Sequence, residues 1–287
     1  MTILLALLSG LMWGAADYFG GSASRRAPAL LVVLISQAAG WTFVILTAGA
    51  SGGFSAPTGY LPWGIAAGLA GAAALLLFYR ALAIGAMGVV SPIAALGVVV
   101  PVGIGLLTGA LPSMLSVAGI AVAVAGVVAT AGPGRGGAHG VRHRRSVLMA
   151  IGSAAGFGLV LAAISRGSAS STVMTMVVMR STSVPLLVVV AAISLRSGLR
   201  PAVRQILRTP RLVGIILVCG VFDVGANLLF GIASHGGALA IVAVLGSLYP
   251  AGTVLLARVL DEERLSGVQN AGVVAALAGV AMIAAGS

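Results

Sequence analysis

Four ionisable residues interrupt or edge long apolar runs: Asp17, Arg80, Arg180 and Asp223. If those runs cross a bilayer, an ionised side chain at the centre costs about 2.5–3.5 kcal/mol even on the lenient insertion scale. Such residues therefore face a bundle interior and are functional suspects by default. Asp223 falls near the middle of its run. Arg180 falls about 5 Å from the middle of its own, at 1.5 Å rise per residue. The two are expected to approach each other near a central cavity. A guanidinium fork there suits an anionic or carboxylate-bearing substrate, and Asp223 suits a coupling proton. A permanent bridge that only orders the helices competes with that reading, and the residues alone leave both open. Asn227 lies four residues after Asp223, on the same helix face, and extends a polar stripe.

Asp17 and Arg80 form a second candidate pair. Each lies about four residues, roughly 6 Å, from the end of its run on one common side. The pair reads either as a gate that breaks on opening or as a structural bridge whose guanidinium snorkels outward. Trp13, Gln37, Trp41, Tyr79 and Tyr249 complete the expected lining of a substrate-binding cavity, whereas Trp63, near a run's start, suits an interface anchor. Catalytic signatures are missing: there is no His-Glu-x-x-His, no Gly-x-Ser-x-Gly and no paired metal carboxylates. His139 and His143 share a basic segment without a third ligand, and His235 reads as a solvated loop residue. The chain thus reads as non-enzymatic, with no metal and no cofactor expected.

The elements that must carry these residues follow from composition. Of 287 residues 60% are hydrophobic and 7% charged. A soluble domain uses about 25% charged residues, so 7% cannot wet its surface. An ordinary soluble enzyme, a disordered chain and a disulfide-rich secreted module are excluded, the last also by the single Cys219. All 16 basic residues are Arg, against five acids. Their scatter over short connections gives no basic face, so nucleic acid is not an expected partner.

A spanning helix needs about 20 mostly apolar residues. Ten runs qualify: Ile3–Gly21, Leu30–Ala48, Leu61–Ile84, Val90–Gly109, Leu115–Ala131, Val147–Ser165, Val173–Leu195, Leu212–Ala233, Ala238–Ala257 and Val268–Ala285. No basic residue precedes the first run, which therefore reads as a span rather than a secretory signal. Pro101 and Pro250 predict kinks in the fourth and ninth runs. Glycine pairs four apart, such as Gly64/Gly68 and Gly152/Gly156, suit close helix packing. The loops after odd-numbered spans, with the adjoining span ends, hold 14 of the 16 arginines; the other side holds only Arg166, and Arg180 is intramembrane. The positive-inside rule then places the odd loops in the cytoplasm and both termini outside. The expected setting is the plasma membrane, with lipid and a small-molecule substrate as partners; a homodimer stays open.

The chain also matches itself at half length. Ala94–Pro101 aligns with Ala243–Pro250, Leu115-Ser116 with Leu265-Ser266, Gly126-Val127 with Gly279-Val280, and Ser9–Gly14 with Ser153–Gly158. Residues 1–131 and 147–287 are thus expected as two five-helix repeats joined by a basic cytoplasmic linker over 132–146. An odd span number per repeat turns the second half upside down. The predicted fold class is an all-α integral membrane protein of ten transmembrane helices in two inverted five-helix repeats, an arrangement that secondary transporters use with a site near the midplane.

At these residues the chain resembles the drug/metabolite transporter superfamily, in its ten-span EamA-type branch. The similarity is carried by Leu248-Tyr249-Pro250, by Glu263-Arg264-Leu265-Ser266 followed by Gln269 and Gly272, and by Gly279-Val280. Trp13-Gly14 resembles the family's first-span Trp-Gly. Arg180 falls where the family often has an Arg in the second span of a repeat, with Gln37 in the matching place of the first half. The first half departs from the pattern, with Leu111-Pro112-Ser113 in place of the acidic turn. The resemblance implies transport, commonly export of metabolites, amino acids or drugs. A proton-coupled or facilitative exporter leads, an importer or exchanger comes next, and a non-transporting scaffold would instead show a closed apolar centre.

Overall fold

The computed structural model describes residues 2–100, 113–130, 140–194, 199–236, 249–262 and 265–286. Among them every regular element is helical. The chain runs α1 (Thr2–Ser24), α2 (Ala29–Ala50), α3 (Leu61–Ile84), α4 (Met87–Ala95, continued by a 3-10 turn over Leu96–Val98) and α5 (Met114–Thr130). The second half runs α6 (Gly140–Ser168), α7 (Thr172–Ser194), the short α8 (Arg200–Leu207), α9 (Pro210–Gly236), α10 (Tyr249–Leu260) and α11 (Gly267–Gly286). Proline sets several starts: Pro28 caps α2, and Pro62 and Pro201 sit in the first turns of α3 and α8. A first-turn proline gives up no helical hydrogen bond.

Among the described residues six helices are long and apolar enough to cross a bilayer: α1, α2, α3, α6, α7 and α9. Shorter apolar stretches lie in α5, α10 and α11. Large apolar side chains such as Leu4, Leu11, Leu46, Val189, Leu255 and Val274 face outward, each more than half exposed. On a soluble protein such a belt would be an adhesive surface; around apolar spanning helices it is the lipid face. The chain is a multi-pass membrane protein.

Two boundaries differ from expectation. The helix expected from Val147 starts at Gly140, so Arg142, Arg144 and Arg145 ride on its first turns instead of in the linker. Arg is a good helix former, and nothing between Gly140 and Val147 breaks a helix. The polar connection after the seventh span contains α8, an amphipathic turn-pair that buries Ile206 and turns Arg200 and Arg204 outward. The expected spans four and nine reach beyond the described residues, as do Pro101, Arg135, His139, Arg196, residues 243–248 of the repeat alignment, Glu263 and Arg264.

The helices pair in a regular way. α1 packs on α9 as α6 packs on α3; α2 packs on α9 as α7 packs on α3; α1 packs on α10 as α6 packs on α4. Meanwhile α2 meets α7, α4 meets α10 and α5 meets α11. Without a hydrophobic force between helices in lipid, small residues let backbones close up. At Gly279 an added Cβ would lie 2.6 Å from the Gly119 carbonyl oxygen across the α5–α11 contact. Gly64 and Gly68 likewise face α7 directly.

Buried apolar residues form two principal clusters. One gathers Val33, Phe78, Ile93, Leu187 and Cys219; the other gathers Val44, Val160, Val177, Val224 and Leu228. On three helices a polar residue marks the seam between them: Gln37 between Val33 and Val44, Arg180 between Val177 and Leu187, Asp223 between Cys219 and Leu228.

Candidate functional site

That seam is hollow. A cavity of about 130 Å³ lies between the halves. Its wall takes residues from α1 to α4 and from α6, α7, α9 and α10; α5 and α11 contribute none among the described residues. Seven of the sequence-derived candidates line it: Trp13, Asp17, Gln37, Arg180, Asp223, Asn227 and Tyr249. The rest of the wall is mostly apolar, with Leu75, Phe157, Val160, Leu161, Met179 and Phe230.

Arg180 is 1% exposed and is held from two sides. Its Nη2 donates to Asp223 Oδ2 on α9, and its Nη1 donates to Gln37 Oε1 on α2. Gln37 Oε1 also accepts from the Ser183 hydroxyl at 2.9 Å, so one amide oxygen ties two residues of α7 to α2. Among the described residues Arg180 Nε has no hydrogen-bond partner. A buried charge is tolerated only when paired and hydrogen-bonded, and this arrangement meets that condition at the two terminal nitrogens. Asn227 Nδ2 donates at 2.6 Å to the Asp223 carbonyl, one turn back along α9. The bridge therefore ties α2, α7 and α9 together across the interface of the halves.

An aromatic group of Trp13 from the first half and Phe230 and Tyr249 from the second stands at the same cavity. Trp13 lies with its ring centroid 5.5 Å from that of Phe230 and 6.1 Å from that of Tyr249, edge-on to the latter. Gly14 allows the contact: an added Cβ would lie 2.7 Å from the Tyr249 carbonyl oxygen. Thr253 donates to the Gly14 carbonyl at 3.1 Å. Asp17, one turn after Trp13, turns to the same cavity.

Three candidates lie elsewhere. Arg80 is exposed and makes no ion pair with Asp17, so the expected Asp17–Arg80 bridge is absent. Near a helix end a guanidinium reaches water at little cost, which removes any pull toward Asp17. Trp41 is half-buried beside α7, where its Nε1 donates to the Ser181 hydroxyl at 3.0 Å. Tyr79 is buried below the cavity, its hydroxyl 3.0 Å from Cys219 Sγ, which in turn donates to the Ala16 carbonyl at 3.3 Å. Those contacts join α3, α9 and α1. Trp63 carries the Arg166 guanidinium 5.6 Å from its ring centroid.

A network that sequence reading missed joins the Arg-rich ends of α1 and α10. Asp261 accepts from the Tyr18 hydroxyl at 3.0 Å and from Arg25 Nη1 at 3.0 Å. Arg25 also donates to the carbonyls of Leu82 and Gly85 at the end of α3. Asp261 is presented by a turn in which Glu262 takes a left-handed backbone, φ 51. Opposite charges at those two helix ends were visible in the sequence; which ends touch was not.

Residues 144–285, the second half, match the EamA-like transporter family. No curated protein matches the chain. A solved structure described as "Crystal structure of protein" superposes with a TM-score of 0.61, covering 98% of this chain and 95% of its own, at 19% identity. At that identity the likeness is one of fold.

Proposed function

We propose that this EamA-type membrane transporter of small molecules works as a secondary, proton-coupled exporter by alternating access between two inverted five-helix halves. One observation carries the reading: a partly polar cavity at the seam of the halves, walled by eight helices and holding the Arg180–Asp223 bridge. A scaffold has no use for a hollow that carries buried charge. The helix pairings support the inversion, because exchanging each helix of one half for its counterpart returns the same principal set of contacts. Five spans per half then require opposite orientation. Export is the direction that the EamA-type resemblance implies.

In this reading the Tyr18–Asp261–Arg25 network is the cytoplasmic latch, and its closure leaves the cavity facing outward. The ion pair is about one-quarter to one-third exposed at both partners. A pair that open to water is worth about 0.2–1 kcal/mol, weak enough to break in every cycle. The bridge at the cavity is closed to water on its Arg180 side, and protonation of Asp223 is the step that would release Arg180. Counter-flow of protons in proteoliposomes tests the whole. Flux of amino acids and drug probes should respond to an imposed pH gradient, and Asp223→Asn should abolish the response while the protein remains monodisperse. Full gradient-driven flux in Asp223→Asn would remove the coupling role.

A further inference from the structure

The charge balance of the cavity narrows what it can accept. Among the described residues, three side chains with formal charge face it: Asp17, Arg180 and Asp223. Arg180 and Asp223 satisfy each other, with Gln37 on the second guanidinium nitrogen. Asp17 has no hydrogen bond or ion pair to its side chain among the described residues. Arg80 is exposed and Arg25 is engaged by Asp261. The cavity therefore holds one carboxyl group, that of Asp17, with no guanidinium to match it among the described residues. An anionic ligand would have to break the Arg180–Asp223 bridge and approach Asp17 against like charge. A cation supplies what the wall lacks.

The surroundings of Asp17 favour the same class. Trp13 precedes it by four residues on α1 and so shares its face. Tyr249 and Phe230 group around Trp13. Aromatic faces attract ammonium groups, most strongly when water is excluded. The remaining wall, with Leu75, Val160 and Met179, takes an apolar body, and about 130 Å³ gives room for a single ring.

We infer that the cavity binds a small organic cation with a flat apolar body, its ammonium received by Asp17 beside the Trp13–Tyr249–Phe230 aromatic group. This rests on the transport reading of the same cavity and adds its substrate class. Three probes of one shape and different charge test it: 2-phenylethylamine, 2-phenylethanol and 3-phenylpropionate, titrated calorimetrically into the purified full-length protein. The amine should bind at least tenfold more tightly than either of the others. Asp17→Asn should erase that preference and Asp17→Glu should retain it. The alcohol, with no charge for Asp17 to answer, checks that the variant cavity is intact. The inference is overturned if the propionate binds as tightly as the amine, if none of the three binds, or if Asp17→Asn keeps the preference. Flux in proteoliposomes separates the two readings. Binding of the amine without any flux would sink transport and leave the ligand class standing; flux of the propionate alone would do the reverse.

Discussion

Arg180 is the residue through which α2, α7 and α9 meet, by way of its two terminal nitrogens. Removing one partner of a buried ion pair costs about 3–5 kcal/mol because the other charge is left uncompensated. Arg180→Gln should therefore lower the thermal midpoint in detergent by the equivalent of about 3–5 kcal/mol. Adding Asp223→Asn should restore most of it, because two neutral amides can hydrogen-bond where one lone carboxylate cannot. A double variant as unstable as the single one would argue that the bridge is not the source of the loss. Arg180, Asp223 and Gln37 were legible in sequence because a charge or amide within an apolar run has few places to go. Tyr79 and Trp41 were not, because both have polar tips that a neighbouring helix can satisfy. Tyr79 found Cys219 and Trp41 found Ser181. The apolar wall, Phe157 and Leu161 among it, carried no signal: facing a cavity and facing lipid ask for the same residue types.

Among the elements, α1 and α10 form the contact that the proposed opening would have to break. They touch at Gly14 and Thr253 beside the cavity and again at Tyr18, Arg25 and Asp261 on the Arg-rich side. Asp261→Asn weakens the second contact and spares the first, and Arg25 keeps its carbonyls on α3. A loss of about 1 kcal/mol is a factor of about five in an equilibrium. In a Cys219→Ser background, Leu75→Cys on the cavity wall should therefore react about five times faster with a cytoplasmic maleimide once Asp261→Asn is added. An unchanged rate would mean that the network does not close the path. Helix ends were the weakest part of the sequence reading. The Asp17–Arg80 bridge was drawn from equal depth on two helices, but depth does not say which way a side chain points around the axis. The start of α6 was placed late because a basic segment was taken for a loop, although Arg sustains a helix well beyond the bilayer.

At the scale of the whole molecule, apolar run lengths and arginine counts fixed the class, and the paired contacts of α1–α4 with α6, α7, α9 and α10 add a symmetry that weak self-similarity had only suggested. The arginine asymmetry also predicts an orientation that can be checked. Ser170, in the connection after α6, and Thr209, in the connection before α9, are both exposed. With Cys219 replaced by Ser, a cysteine at 209 should be labelled by an impermeant reagent only in inverted vesicles, and one at 170 only in intact cells. Labelling of both from one side would undo the topology. The α5–α11 pair stands apart from this exchange of surfaces. Among the described residues it lends nothing to the cavity wall, yet one helix comes from each half, and their backbones come close at Gly119 and Gly279. The proposed alternating access needs a line about which the halves turn, and a seam with no room for a side chain at these two glycines is suited to that duty. A bulky residue set there would spread the hinge pin rather than alter the cargo, slowing every passenger alike.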